Sequence, residues 1–137
     1  MVQNERKPAG ELLRSFMTPF VITVASSEPV RRALELMNGN DVGSIVVVEK
    51  GAPVGIITER DISKQMMNKP DLLNLPANNV MSTPVLTSNP DLPVWKAVEV
   101  MTKRGIRRLP LVNDNKLVGI VTEKDIFKWI VKQNFEP

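Results

Sequence analysis

Cysteine and histidine are both absent from this chain of 137 residues. Together these absences exclude disulfides, thiol nucleophiles, imidazole general bases and zinc sites of the usual type. Serine nucleophiles and carboxylate pairs remain chemically open, but neither stands in a recognisable setting such as a G-x-S-x-G elbow. The expectation is a protein that is not an enzyme. No apolar run approaches the roughly 20 residues needed to cross a bilayer. The first residues, Met1 to Lys7, are polar and lack the apolar stretch of a signal peptide, so a cytoplasmic protein is expected. Apolar residues make up 42% and charged residues 24% of the chain, an ordinary balance for a globular protein. A net charge of +3 is compatible with an anionic small molecule, a nucleic acid or neither.

What the chain does have is a copy of itself. Placing Met17 on Met81 sets an offset of 81 − 17 = 64, and the register then holds without gaps. Val21 meets Val85, Thr23 meets Thr87, and Pro29-Val30 meets Pro93-Val94. Ala33, Glu35 and Met37 meet Ala97, Glu99 and Met101. Val54-Gly55-Ile56 meets Val118-Gly119-Ile120, and Thr58-Glu59-x-Asp61-Ile62 meets Thr122-Glu123-x-Asp125-Ile126. A single chance motif would not keep register for so long, so the chain is read as a duplicated unit.

Each copy predicts the order β-α-β-β-α. A short strand is expected at Val21 to Val24 and again at Val85 to Thr87. The helix that follows has proline near its first turn (Pro29, Pro93). Its apolar residues fall at i, i+3, i+4 and i+7: Val30, Ala33, Leu34 and Met37, then Val94, Ala97, Val98 and Met101. Gly39 and Gly105 are expected to stop these helices. Two strands follow in each copy, Ser44 to Val48 with Val54 to Thr58, and Leu109 to Val112 with Leu117 to Thr122. The links Glu49-Lys50-Gly51-Ala52 and Asn113-Asp114-Asn115-Lys116 suit hairpins. The strands are nearly continuous apolar runs, which predicts cover on both faces. A second helix starts at Thr58 or Thr122. A single unit of this size would bury little core, so the copies are expected to pack together. The stretch from Asn68-Lys69-Pro70-Asp71 to Pro76-Ala77-Asn78-Asn79 reads as the connector. The expected organisation is an N-terminal tail at 1–15 and repeats at 16–75 and 80–137, an α/β (α+β) fold.

The phrase Gly-Ile-(Ile/Val)-Thr-Glu-(Arg/Lys)-Asp-Ile, present twice, carries the chemistry. Thr58 and Thr122 stand where strand becomes helix, with Asp61 and Asp125 three residues on. Read structurally, T-x-x-D is a capping box. Read functionally, a helix N-terminus offers N–H groups to a phosphate, and the carboxylate can accept both hydroxyls of a ribose. Both readings stand. A second feature is Gly105-Ile106-Arg107-Arg108-Leu109-Pro110, whose counterpart, Asp41-Val42-Gly43-Ser44-Ile45-Val46, has no arginine. Arginine suits phosphate recognition, although a solvated basic turn would look the same.

These motifs, the Met-Thr-Pro and Met-Ser-Thr-Pro openings at Met17 and Met81, and their duplication in order resemble cystathionine β-synthase (CBS) domains. From Met17 to about Val131 the chain is similar to a tandem CBS pair, or Bateman module. The resemblance implies two clefts related by pseudo-two-fold symmetry that accept AMP, ADP, ATP or S-adenosylmethionine, and hence an energy-sensing regulatory role. It implies that one cleft uses Thr122 and Asp125 with Thr18, Phe20, Val21, Val42 and Gly43. The other uses Thr58 and Asp61 with Pro84, Val85, Ile106, Arg107 and Arg108. Gly43-Ser44 departs from the family's basic pattern, which ranks the Asp61 cleft first for a charged nucleotide. With few residues outside the repeats, no fused enzyme or channel is expected. The alternatives are a nucleic-acid binder using Arg31, Arg32, Lys103, Arg104, Arg107 and Arg108, and an assembly platform that binds no small ligand. Few aromatics accompany those basic residues, which disfavours stacking on single strands. The last helix has apolar residues at Ile126, Phe127, Trp129, Ile130 and Val131, broader than one buried stripe. With Trp95, it suggests a partner surface, and the resemblance implies a homodimer formed through helices.

Overall fold

The computed structural model describes residues 11–135, so residues 1–10 of the expected tail lie outside the described residues. The chain divides into two compact units. One is Val21–Val85; the described part of the other is residues 11–20 together with 86–135. The compact units therefore differ from the stretches of repeated sequence. The ten described residues before Val21 belong with the second copy, and the segment up to Val85 belongs with the first.

In the first unit, β1 (Thr23–Ala25) lies parallel to β2 (Ser44–Glu49), which lies antiparallel to β3 (Ala52–Thr58). The parallel step is bridged by α1 (Val30–Gly39), and α2 (Glu59–Met66) leaves the end of β3. β1 starts two residues later than the pattern predicts. The predicted apolar face of α1 is largely the buried one: Val30, Ala33 and Met37 join Val24, Ile45, Val47, Ile57 and Ile62 in one core, while Leu34 is exposed. The stretch read as a connector contributes to that core instead of merely linking. Its Leu72 and Ala77 are buried there, beside Val80 at the start of the expected second repeat, and the backbone is tied down by bonds from Val30 N–H to Leu75 O (2.9 Å) and Ala77 N–H to Glu28 O (2.7 Å). Its apolar residues outweighed its two prolines.

The second unit repeats the plan with α3 (Val94–Arg104), β4 (Arg108–Asn113), β5 (Lys116–Thr122) and α4 (Glu123–Phe135). The strand expected at Val85 to Thr87 is absent; a single bridge joins Ser88 to Leu111. Two prolines account for it, one on each segment: Pro90 stands where Ser26 N–H donates to Val48 O in the first unit, and the other lies in the partner strand. In the first unit Thr23 pairs with Val46, and the residue equivalent to Val46 is Pro110, which has no N–H to give to the ladder. Residues 11–17 fill out this unit. Leu13 is fully buried, Val94 N–H donates to Glu11 O at 3.0 Å, and Arg14 Nε donates to Asp91 Oδ1 at 2.9 Å. That hydrogen bond holds the Asp91 carboxyl below the usual carboxylate range.

The helix stops differ from expectation in one copy. Gly105 caps α3 in the left-handed region (φ 62°), as expected. In the first copy the left-handed residue is Asp41 (φ 53°), its counterpart in the alignment, while Gly39 closes α1 as an ordinary helical residue. Aspartate is among the few side chains that tolerate this region. Both hairpins turn through two residues of positive φ, Lys50-Gly51 and Asp114-Asn115, the geometry that matches strand twist. Three successive residues are buried at the centre of each first hairpin strand, Ile45–Val47 and Leu109–Leu111, as continuous apolar runs predict.

One contact recurs in both units. Met81 lies over Gly55 in β3, next to paired bonds between Ile56 and Ser82. Met17 lies over Gly119 in β5, next to paired bonds between Thr18 and Ile120 at 3.0 Å each. A Cβ on Gly119 would stand 2.5 Å from Met17 Sδ and 3.2 Å from Thr18 O; one on Gly55 would collide with Met81 Sδ and stand 2.7 Å from its Cγ. Gly119→Ala should therefore lower unfolding stability by about 1–3 kcal/mol, the usual cost of overpacking. In denaturant titrations, the Met17→Ala/Gly119→Ala double variant should lose less than the sum of its singles. Additive losses would show that Met17 does not need the bare glycine.

Candidate functional site

Each β-strand to α-helix junction is built the same way. In the first unit Thr58 is the N-cap of α2. Thr58 N–H donates to Asp61 Oδ2 at 2.9 Å, and Asp61 N–H donates to Thr58 Oγ1 at 3.0 Å. In the second unit Thr122 N–H donates to Asp125 Oδ2 at 2.9 Å, and Asp125 N–H donates to Thr122 Oγ1 at 3.1 Å. The capping-box reading is thus realised in both copies. It uses one carboxylate oxygen and leaves the other, so a cap and a ligand contact are compatible at the same aspartate.

The remaining oxygen differs between the copies. Asp61 Oδ1 accepts the Ser82 hydroxyl at 3.1 Å. The residue matching Ser82 is Thr18, also a hydroxyl, and among the described residues no such bond reaches Asp125 Oδ1. Both aspartates are half-buried. Asp125 therefore offers the more available acceptor, and Asp61 one that a ligand must win from Ser82. Ser82 is the site residue that the sequence reasoning passed over; its signal was its alignment with Thr18.

The other candidates divide between the units. Thr18 and Phe20 stand in the second unit, with Thr18 bridged to Ile120 two residues before Thr122. Ile106, Arg107 and Arg108 belong to that same unit. Arg107 O accepts from Glu123 N–H at 2.8 Å, which sets the start of β4 beside the start of α4. Ile106 and Arg107 also line a cavity of about 410 Å³ with Val98, Met101, Glu123 and Ile126. Val21, Val42, Gly43, Pro84 and Val85 stand in the first unit. There Gly43 O accepts from Glu59 N–H at 3.0 Å, the counterpart of the Arg107 bond. Pro84 follows a cis peptide bond. Each unit thus assembles a cap, a strand start and an opening segment. The sets proposed from the resemblance draw on both units, Thr122 and Asp125 with Val21, Val42 and Gly43, and Thr58 and Asp61 with Ile106, Arg107 and Arg108.

Among the basic residues considered for nucleic acid, Arg31 and Arg32 hold partners inside their own unit. Arg31 Nη2 donates to Asn74 Oδ1 at 3.2 Å, and Arg32 pairs with Glu35 at 3.6 Å. Among the described residues no group of three or more acidic side chains could hold a metal ion, and no helix is long and apolar enough to cross a membrane.

The CBS domain profile matches residues 11–68 and 77–132. The chain is 37% identical over 114 residues to the CBS domain-containing protein YhcV of Bacillus subtilis, covering 83% of this chain and 81% of that protein. It is 43% identical over 113 residues to a protein of Methanopyrus kandleri, covering 77% of this chain but only 57% of its relative's length. Among solved structures it resembles a CBS domain pair in complex with methylthioadenosine and S-adenosylmethionine. That match has a TM-score of 0.80 and 27% identity, and covers 90% of this chain and 98% of the other. With both repeats matched and the fold shared, the chain belongs to the CBS domain family.

Proposed function

We propose that this CBS pair is a regulatory module, not an enzyme, that binds adenosyl ligands and signals their presence to a partner protein. The observation that carries the proposal is the pair of Thr-Asp boxes, each using one carboxylate oxygen for the cap and keeping the other beside a helix start for a ribose hydroxyl, open at Asp125 and shared with the Ser82 hydroxyl at Asp61. The likeness to a CBS pair solved with methylthioadenosine and S-adenosylmethionine supports the same ligand class.

The two sites differ in charge. The set of Thr58, Asp61, Pro84, Val85, Ile106, Arg107 and Arg108 carries two arginines and takes a phosphorylated ligand: AMP, ADP or ATP. The set of Thr18, Phe20, Val21, Val42, Gly43, Thr122 and Asp125 has no arginine and an open Asp125 oxygen, and takes an adenosyl ligand without phosphate. Adenine lies in the apolar part of each set, the ribose on the aspartate, and any phosphate towards threonine and arginine.

Asp61→Asn and Asp125→Asn separate binding from folding, because asparagine keeps an acceptor for the N-cap N–H. In calorimetric titrations Asp61→Asn should weaken AMP at least about tenfold and leave methylthioadenosine unchanged, with the reverse for Asp125→Asn. Arg107→Ala with Arg108→Ala should weaken AMP alone, by a similar factor. Equal effects of either aspartate variant on both ligands would contradict the assignment.

We also propose a homodimer formed through helices. On α4 Phe127, Ile130 and Phe135 are 64%, 41% and 81% exposed, a cluster that a partner helix would cover. Light scattering should report a dimer for the native chain and a monomer for Phe127→Asp. A native monomer, or a dimer unmoved by Phe127→Asp, would count against this face.

A further inference from the structure

Each Thr-Asp box stands beside a hydroxyl, and the two hydroxyls behave differently although their backbones are held alike. Ser82 and Thr18 occupy matching positions under the 64-residue offset. Ser82 exchanges two backbone bonds with Ile56, at 2.8 and 3.2 Å, directly after the methionine that covers Gly55. Thr18 exchanges two with Ile120, at 3.0 Å each, directly after the methionine that covers Gly119. What differs is the side chain. Ser82 Oγ donates to Asp61 Oδ1 at 3.1 Å, whereas among the described residues Thr18 makes no such bond to Asp125. Threonine is β-branched and stiff at χ1, while serine turns its hydroxyl between staggered positions at little cost.

That single bond changes what each aspartate can accept. A carboxylate oxygen has two lone pairs. Asp125 Oδ1 keeps both, and Asp61 Oδ1 has one taken by Ser82. A ribose diol brings two hydroxyl donors, so at Asp61 its second hydroxyl competes with Ser82. Ser82 is exposed and Asp61 half-buried, so an incoming ligand meets the bond at the surface. Breaking it needs only the rotation of one hydroxyl. Asp61 Oδ2 stays on the Thr58 N–H, and the backbone pair at Ile56 stays closed.

We propose that Ser82 is an internal competitor for the ribose at Asp61, and that serine or threonine at this position sets how tightly each box holds a diol. The inference rests on the adenosyl reading of the boxes. Serine lowers the affinity of the Asp61 site, and threonine leaves the Asp125 site at full strength.

Calorimetric titration of single variants of the full chain tests this. Ser82→Ala removes the competing donor, so AMP should bind at least about threefold tighter. Thr18→Ser gives the second box the residue of the first, so methylthioadenosine should bind at least about threefold more weakly. Were Ser82 a direct ligand contact, Ser82→Ala would weaken AMP; were it purely structural, AMP would be unchanged. Either result overturns the proposal, as does methylthioadenosine binding unmoved by Thr18→Ser. A ligand-free cycle of Ser82→Ala with Asp61→Ala, followed in denaturant, should show coupling between the two side chains. No coupling means that the bond is absent and also overturns the proposal. Coupling with unchanged AMP affinity means that the bond does not compete, which overturns the proposal and leaves the adenosyl reading standing. A native chain that binds neither ligand overturns that reading and this one together.

Discussion

Both units depend on a methionine seated over a glycine. Met81 covers Gly55, Met17 covers Gly119, and in each case the following residues bond to the strand that carries the glycine. The seat exists because a bare Cα leaves room for the thioether, and because the flexible methionine fills it. Its consequence is an exchange. The residues opening the first repeat complete the unit of the second, and those opening the second complete the unit of the first. That exchange also brings a hydroxyl, Thr18 or Ser82, to the strand that leads into each Thr-Asp cap. Packing and binding chemistry are thus set by the same few residues.

The duplication makes the differences informative. Both oxygens of Asp61 are engaged, one by its box and one by Ser82, but only one oxygen of Asp125 is, among the described residues. One strand start carries Gly43-Ser44, the other Arg107-Arg108. A scaffold duplicated and then changed at these two places would hold ligands of different charge without altering its core, since the core positions Val30, Ala33 and Met37 recur as Val94, Ala97 and Met101.

Much of this was legible in the sequence. Helical periodicity, turn residues and T-x-x-D spacing led to the helices, hairpins and caps, because each is a local signal read within about two turns, and the 64-residue register showed each of them twice. Three features were not. The lost strand near Thr87 depends on Pro90 in the segment together with Pro110 in its partner strand, and the second is a non-local effect that propensity along one segment does not register. The stop at Asp41 was hidden by a nearby glycine, the more usual residue for the role. The burial of Leu72 and Ala77 was masked by prolines that suggested a linker. For the site, residue types were readable from the resemblance, but the bond from Ser82 to Asp61 needed coordinates, since the two residues are distant in sequence and joined only by the exchange.

The central claim is that the two Thr-Asp boxes serve two adenosyl sites distinguished by charge. Calorimetric titration of the native chain with methylthioadenosine, before and after saturation with AMP, tests it most directly. The account predicts that each ligand binds alone and that AMP leaves the methylthioadenosine isotherm essentially unchanged. No heat and no thermal stabilisation with either ligand, or full competition between them for one site, would contradict it.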